Sequence, residues 1–309
     1  MSRPLVIGSR GSKLALWQAE QARERLRLLN PQLDVRIEII KTTGDVKNDP
    51  LSVIGGKGVF TKELEDALLD GRIDIAVHSL KDLPTILPDG LSIAAICERE
   101  DARDALVLRA GSSENGSLLH LPHGAVVGTS SQRRLAQLKA LRGDVVVRDL
   151  RGNVDTRIRK LDEGQYDAVI LASAGLVRLG LQERISARIA VSEMLPAVGQ
   201  GAIAIETRSD SEFAVGSASP LDHRETRLAC LAERAFLRSL GGGCQFPIAA
   251  HAVLDVDVLR LDGLVARPDG SQILRDSLSG PANEAEGLGT ALASQLIQRG
   301  ANTLLHGDD

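Results

Sequence analysis

Four short stretches of this 309-residue chain carry residue types that can do chemistry. The first is Gly241-Gly242-Gly243-Cys244-Gln245-Phe246-Pro247. Three glycines let the backbone approach another molecule and leave the thiol unshielded, which points to a reactive or modified cysteine. Cys97, in an apolar strand pattern, and Cys230, in a helical one, instead read as buried, inert thiols. The second stretch, His78-Ser79-Leu80-Lys81-Asp82-Leu83-Pro84, follows an apolar run at Ile73–Val77. An acid there lies at a strand's carboxyl end, where sites form in parallel sheets. Asp82 either makes a surface ion pair with Lys81 or acts on a nitrogen heterocycle, giving a proton and then stabilising the cation that develops.

The third stretch is Gly128-Thr129-Ser130-Ser131-Gln132-Arg133-Arg134. Its hydroxyl residues can cap a helix whose first turn holds two arginines. Cations at a helix N-terminus oppose the macrodipole by roughly a few tenths of a kcal/mol or more, and an anionic ligand would resolve that conflict. Arg148, Arg151, Arg157 and Arg159 follow, with Arg151-Gly152-Asn153 opening a helix; a solvated basic face is the competing reading. The fourth, Gly55-Gly56-Lys57-Gly58, precedes a helix near Thr61 and is a weak anion-loop signal.

These segments need a scaffold, and its periodicities are readable. Pro4–Gly8 is a short strand pattern, and Ala15, Ala19, Ala22, Leu26 and Leu29 form one face of a helix over 13–29. Val35, Ile37 and Ile39 alternate with polar residues as in a half-buried strand. A helix at Thr61–Leu69 and strands at Ile73–Val77 and Leu91–Cys97 complete a first series. A second follows the charged stretch Glu98–Asp104, with strands at Ala125–Gly128, Val145–Val147 and Ala168–Leu171 and helices at 131–141 and 153–163 between them. Strands alternating with helices imply largely parallel sheets. After Ala202–Glu206 and a Ser/Gly/Pro-rich linker at Gly216–Pro220, the tail reads as an α+β module. It has helices at 222–238 and 284–299 and strand runs at 248–254, 256–266 and 272–279.

Composition narrows the function. Net charge is −4 and only 2% of residues are aromatic, which argues against a nucleic-acid binder. No apolar run is long enough to cross a membrane. The N-terminus lacks a signal-peptide pattern and the three cysteines lack metal spacing, so the expected address is the cytoplasm and no metal is expected. Eight of the 37 basic residues are Lys, leaving 29 Arg, a bias that suits a polyanionic ligand and is equally met by codon usage.

Jointly and in this order, these stretches resemble the porphobilinogen deaminase family along nearly the whole chain. The shared segments include Gly8-Ser9-Arg10-Gly11-Ser12, Leu14–Gln18, Gly55–Phe60, His78–Pro84, Cys97–Asp101, Gly128–Arg134, Arg151–Val154, Leu195–Ala202 and Gly242–Pro247. The resemblance implies an α/β fold with two domains similar to type 2 periplasmic binding proteins around a cleft, plus a small α+β C-terminal domain. The expected divisions are 1–98 with 200–216, 103–193, and 219–309. It implies a monomeric transferase with a dipyrromethane cofactor joined to Cys244 by a thioether. Four porphobilinogens are then added head to tail with loss of ammonia, and hydroxymethylbilane is released for uroporphyrinogen-III synthase.

The resemblance assigns Asp82 as the catalytic acid, assisting loss of ammonia and stabilising an azafulvene cation. It assigns Ser79, Lys81, Asp82, Thr129, Ser130, Ser131, Arg133, Arg134, Arg151 and Gly152 to the cofactor. Arg10, Ser12, Lys57, Phe60, Arg151, Arg157, Arg178 and Gln200 fall to the substrate, with a lid region around Asp45–Phe60. Gly241 stands where many relatives carry Glu, implying a more mobile cysteine loop. The alternative class is a solute-binding protein that traps a carboxylated ligand without chemistry; the extra tail module and the glycine-flanked thiol count against it.

Overall fold

The computed structural model describes residues 3–42, 61–110, 116–243 and 246–306. Two compact units emerge, Met1–Glu100 with Ala202–Arg227, and Asp101–Gly201 with Leu228–Asp309. The first break falls within the charged stretch Glu98–Asp104.

The first unit holds β1 (Leu5–Ser9), α1 (Lys13–Leu29), β2 (Val35–Ile39), α2 (Lys62–Leu69), β3 (Ile75–Ser79) and β4 (Leu91–Ile96). The second opens with β5 (Asp104–Leu108), β6 (Val126–Gly128), α3 (Gln132–Leu141), β7 (Val146–Arg148), α4 (Val154–Asp162), β8 (Ala168–Ala172), α5 (Ser173–Arg178) and β9 (Ala187–Arg188). The chain then returns to the first unit with β10 (Ile203–Arg208) and α6 (Glu212–Ala218). Helix α7 (Arg224–Ser239) leads to β11 (Ile248–Asp255), β12 (Val258–Ala266), β13 (Ile273–Pro281), α8 (Ala285–Gln298) and α9 (Ala301–His306).

The first sheet runs β2-β1-β3-β10-β4 and the second β7-β6-β8-β5-β9. In each, three adjacent strands are mutually parallel, an inserted strand, β10 or β5, is antiparallel to both neighbours, and the edge strand beyond it, β4 or β9, again runs with the first three. Both sheets therefore present the carboxyl ends of their first and third strands side by side, the position at which α/β sheets build sites. The tail is an antiparallel meander, β11-β12-β13, with the Pro268-Asp269-Gly270 turn between its last two strands.

Strand alternation decides which side chains are sealed. Ile75 and Val77 join Leu5, Ile7, Ala19 and Leu26 in one cluster under α1, while Ala76 joins Leu64 and Leu68 under α2. Each fully buried Leu or Ile contributes about 1.5–3 kcal/mol. In the tail, Phe236 packs with Leu259, Leu261, Leu292 and Leu296.

Two expectations need correction. The Ser/Gly/Pro-rich segment at Gly216–Pro220 is not an open linker. Ser211 caps α6 by accepting from Ala214 N, and buried Ala214 and Ala218 hold that helix down. Leu29, assigned to the buried face of α1, is exposed, because Ala15, Gln18, Ala19, Ala22 and Leu26 complete the buried stripe.

At the β11–β12 connection Val256 adopts φ 55 and is 83% exposed. A β-branched residue in left-handed backbone is strained by about 1–2 kcal/mol, and Asn tolerates that region. Val256→Asn is expected to stabilise the chain by about 1 kcal/mol in urea denaturation. Unchanged or lowered stability would show that the strain is relieved elsewhere.

Candidate active site

In the first unit, β3 ends at Ser79 and runs into a 3-10 turn, Leu80–Asp82. Leu80 and Leu83 are buried, and Leu80 N donates to Ala202 O at 3.0 Å. Those anchors leave Lys81 half-buried and display Asp82 to solvent. Among the described residues Asp82 has no hydrogen-bond or ion-pair partner, so the surface-pair reading with Lys81 fails. Gln18, buried on α1, donates from Nε2 to Ser79 Oγ at 2.9 Å. Arg10 follows β1, the neighbour of β3, and Ser12 is the N-cap of α1, accepting from Ala15 N. Arg10, Ser12, Ser79, Lys81 and Asp82 thus lie at adjacent strand ends.

In the second unit, β6 ends at Gly128 and the hydroxyls build the next helix start. Thr129 Oγ1 accepts from Ser131 N, Ser131 Oγ accepts from Arg134 N, and Ser130 Oγ donates to Leu150 O at 3.0 Å. The two arginines of the first turn are buried. Arg133 Nη1 lies 2.6 Å from Asp104 Oδ2, and Arg134 Nη2 lies 2.7 Å from Asp104 Oδ1. Arg133 also donates to Leu195 O and Arg134 to Ile170 O. Gln200 Nε2 donates to Asp104 Oδ1 at 2.9 Å and to Ala102 O at 2.7 Å. An anion does resolve the conflict with the helix dipole, and here it is the chain's own Asp104.

Burial alone would push the Asp104 carboxyl up, but the charges of Arg133 and Arg134 outweigh it and hold the group far below the ordinary carboxylate range. Burial lowers the Arg133 guanidinium, against the attraction of Asp104. Two cations share one carboxylate, and Arg133 Nε has no partner among the described residues. The cluster keeps a surplus positive charge and an open donor.

Because the folded-state pKa of Asp104 is depressed, its contribution is present above the ordinary carboxylate range and is lost as pH falls toward the folded value. Asp104→Asn is expected to destabilise the chain by about 3–5 kcal/mol at neutral pH, since it strands two buried guanidiniums. The loss should shrink in acid. Equal stability of both forms at pH 7 in urea would contradict this.

Arg151 Nε donates to Asp149 Oδ2 at 2.7 Å, and Arg157 Nε donates to Gly152 O at 2.7 Å. Gly152 has φ 108, which only glycine adopts readily, so the turn places Arg151 beside the start of α4. Buried Arg178 donates from Nη2 to Gly201 O at 2.6 Å. Lys57, Phe60 and Cys244 lie outside the described residues. Just before Cys244, Gly242 N donates to Leu237 O and Gly241 N to Arg238 O, closing α7 with a Schellman motif. Gly241 has φ 63. Glycine is therefore suited to this helix end, and it anchors one side of the loop expected to be mobile.

Sequence reasoning missed Gln18 and Asp104 as site-forming residues. A polar residue on an apolar helix face and an acid directly before the apolar run Ala105–Leu108 were the available signals.

The comparisons with known proteins decide the family. A model described as "Porphobilinogen deaminase, dipyromethane cofactor binding domain" matches residues 5–215, and one for the porphobilinogen deaminase C-terminal domain matches 227–298. The chain belongs to the porphobilinogen deaminase family. It is 54% identical over 302 residues to a porphobilinogen deaminase of Chromobacterium violaceum, covering 97% of this chain and 96% of the relative. Among solved structures, it is similar to the second substrate-binding domain of a putative amino acid ABC transporter from Streptococcus pneumoniae. That match has 12% identity and a TM-score of 0.45, and covers 77% of this chain and 95% of that one. A probable amino-acid ABC transporter binding protein from Bacillus subtilis gives 10% identity and a TM-score of 0.42, over 72% and 90% of the two chains. The activity of this deaminase family member is that of hydroxymethylbilane synthase, a transferase with a dipyrromethane cofactor and porphobilinogen as substrate. The residues present fit such a group: a dipyrromethane bears several carboxylates, and the Arg133–Arg134–Asp104 cluster has surplus positive charge and an orphaned buried donor.

Proposed function

We propose that Asp82 is the catalytic acid of this deaminase and Cys244 the attachment point of its cofactor. The observation that carries the first assignment is the display of Asp82. It is a solvent-displayed carboxyl, without a partner among the described residues, on a turn pinned by two buried leucines at the carboxyl end of β3. The cofactor, when bound, supplies a pyrrole carbon as nucleophile. Asp82 hands a proton to the departing amine of porphobilinogen, and the carboxylate left behind then faces the cation that develops on the ring. Ser79, held by Gln18, and Lys81 flank it on the cofactor side.

Arginine suits the rest of the work, because each substrate ring brings two more carboxylates and guanidinium keeps its charge at any working pH. Thr129, Ser130, Ser131, Arg133, Arg134, Arg151 and Gly152 are read as the cofactor side. Arg10, Ser12, Lys57, Phe60, Arg157 and Arg178 are read as the substrate side. Gln200, whose amide protons go to Ala102 and Asp104, serves that side by holding Asp104 in place. The domain division 1–98 with 200–216, 103–193 and 219–309 belongs to the same reading, as do a monomer in the cytoplasm and transfer of the product to uroporphyrinogen-III synthase. Buried Cys97 and Cys230, which read as inert thiols, support a reducing compartment.

Intact-mass measurement of the purified active chain tests the attachment. A surplus equal to two linked pyrrole units, located by digestion to the peptide containing Cys244, is expected. A bare-sequence mass on active protein overturns it.

A further inference from the structure

The face of the first sheet covered by α2 contains a charged cluster that the chemistry above does not use. Ile75 and Val77 of β3 point to α1, so alternation turns His78 toward α2. On β10, Ile203 and Ile205 point to α1, and Glu206 shares the α2 face. His78 Nε2 lies 3.0 Å from Glu206 Oε2, with the two side chains 4% and 0% exposed. Glu65, buried on α2, faces the pair: burial pushes its carboxyl up, and the charges of Glu206 and His78 also act on it. Neither oxygen of Glu206, nor His78 Nε2, nor Glu65 Oε1, nor the Thr207 hydroxyl makes a well-aligned hydrogen bond among the described residues, while Thr61 hydrogen-bonds to the Glu65 carboxyl.

Buried polar atoms are nearly always satisfied, so carboxyl groups sealed from water must find their partners in one another and in the groups packed against them. The imidazole of His78, 3.0 Å from Glu206, is the nearest such group. Other charged groups near this face are Asp66 on α2 and Arg208 on β10, whose Nη1 is bonded to Leu68 O and Ile73 O. Asp74, before β3, is paired with Arg3. Strands β1 and β4 contain no ionisable residue. One residue beyond His78, Ser79 turns the other way and is held by Gln18 from α1. The end of β3 is thus clamped from both faces of the sheet immediately before the turn that displays Asp82.

We propose that His78, Glu206 and Glu65 form a buried polar triad that positions the Ser79–Asp82 turn, with the His78 ring held against the Glu206 carboxyl. This rests on the reading of Asp82 as the catalytic acid. The three are positioning residues: none needs to touch substrate, and their effect falls on how firmly Asp82 is aimed in the transition state.

The test uses the full chain with its cofactor attached. Wild type, Glu206→Gln and Glu65→Gln are compared by the pH dependence of kcat and KM for porphobilinogen. NMR of the imidazole nitrogens reports the surroundings of His78. The His78 signals are expected to move in Glu206→Gln relative to wild type. Glu206→Gln should lower kcat about tenfold or more with KM changed less than about twofold, the pattern of a group acting only in the transition state. Glu65→Gln removes the second carboxyl that faces the ring and should lower kcat about threefold or more, again with KM changed less than about twofold. An unmoved His78 signal or normal kcat in folded Glu206→Gln, or normal kcat in Glu65→Gln, overturns the triad. If Glu206→Gln does not fold, the isosteric Glu65→Gln decides alone. Asp82→Asn is run alongside. Normal turnover there with the His78 signature intact overturns the Asp82 reading and leaves the triad standing.

Discussion

Cys244→Ala yields a chain whose intact mass equals its bare sequence and which consumes no porphobilinogen. The effect is complete because a missing thiol removes the covalent anchor itself, and no neighbouring side chain can replace a carbon–sulfur bond. Cys97→Ala and Cys230→Ala, at buried sites, are expected to keep both adduct and turnover. They lose only the packing of a small buried side chain, about 1–2 kcal/mol of stability by unfolding. Loss of the adduct in the Cys97 variant, with Cys244→Ala still loaded, would move the attachment point. The glycines before Cys244 contribute differently. Gly241 ends α7 in left-handed backbone, so a side chain there strains the root of the loop and leaves the thiol chemistry untouched.

Asp82→Asn folds with wild-type stability and turns over about 10²–10³-fold more slowly, the scale of removing one preorganised electrostatic group. The exposed position of Asp82 is why stability is spared, since no buried partner is stranded when the charge goes. Amide nitrogen can neither supply the proton to the departing amine nor face the resulting cation with negative charge. The measurement is kcat against KM with the urea midpoint recorded on the same preparation. Near-normal kcat excludes Asp82 as the electrostatic centre. A lowered midpoint would instead assign the turn a structural role.

Asp82 and Asp104 show why one acid of the candidate site was legible and the other was not. Asp82 sits in a short polar break after an apolar strand run, and position relative to a strand end is a local property of the chain. Asp104 is separated by 29 residues from Arg133 and by 96 from Gln200, yet its carboxylate meets both. Nothing local announces such pairs. The arginines themselves were found, together with the electrostatic conflict of placing them at a helix N-terminus. Their partner was not, because β5 reaches them only once the second sheet has been assembled.

The sequence by itself determined the alternation of strands and helices, the α+β tail, the unusual glycine-flanked thiol, and the family through the order of its segments. These are carried by residue type and spacing along the chain, the 3.6 and 2.0 periods that any local stretch must obey. Tertiary structure alone decided which charges are sealed and which are displayed. Arg133 and Arg134 share the single carboxylate of Asp104, His78 is turned beneath α2 against Glu206, and Asp82 is left without a partner among the described residues. Burial and Coulomb energy depend on what packs against a group from every side, and those neighbours come from distant parts of the chain.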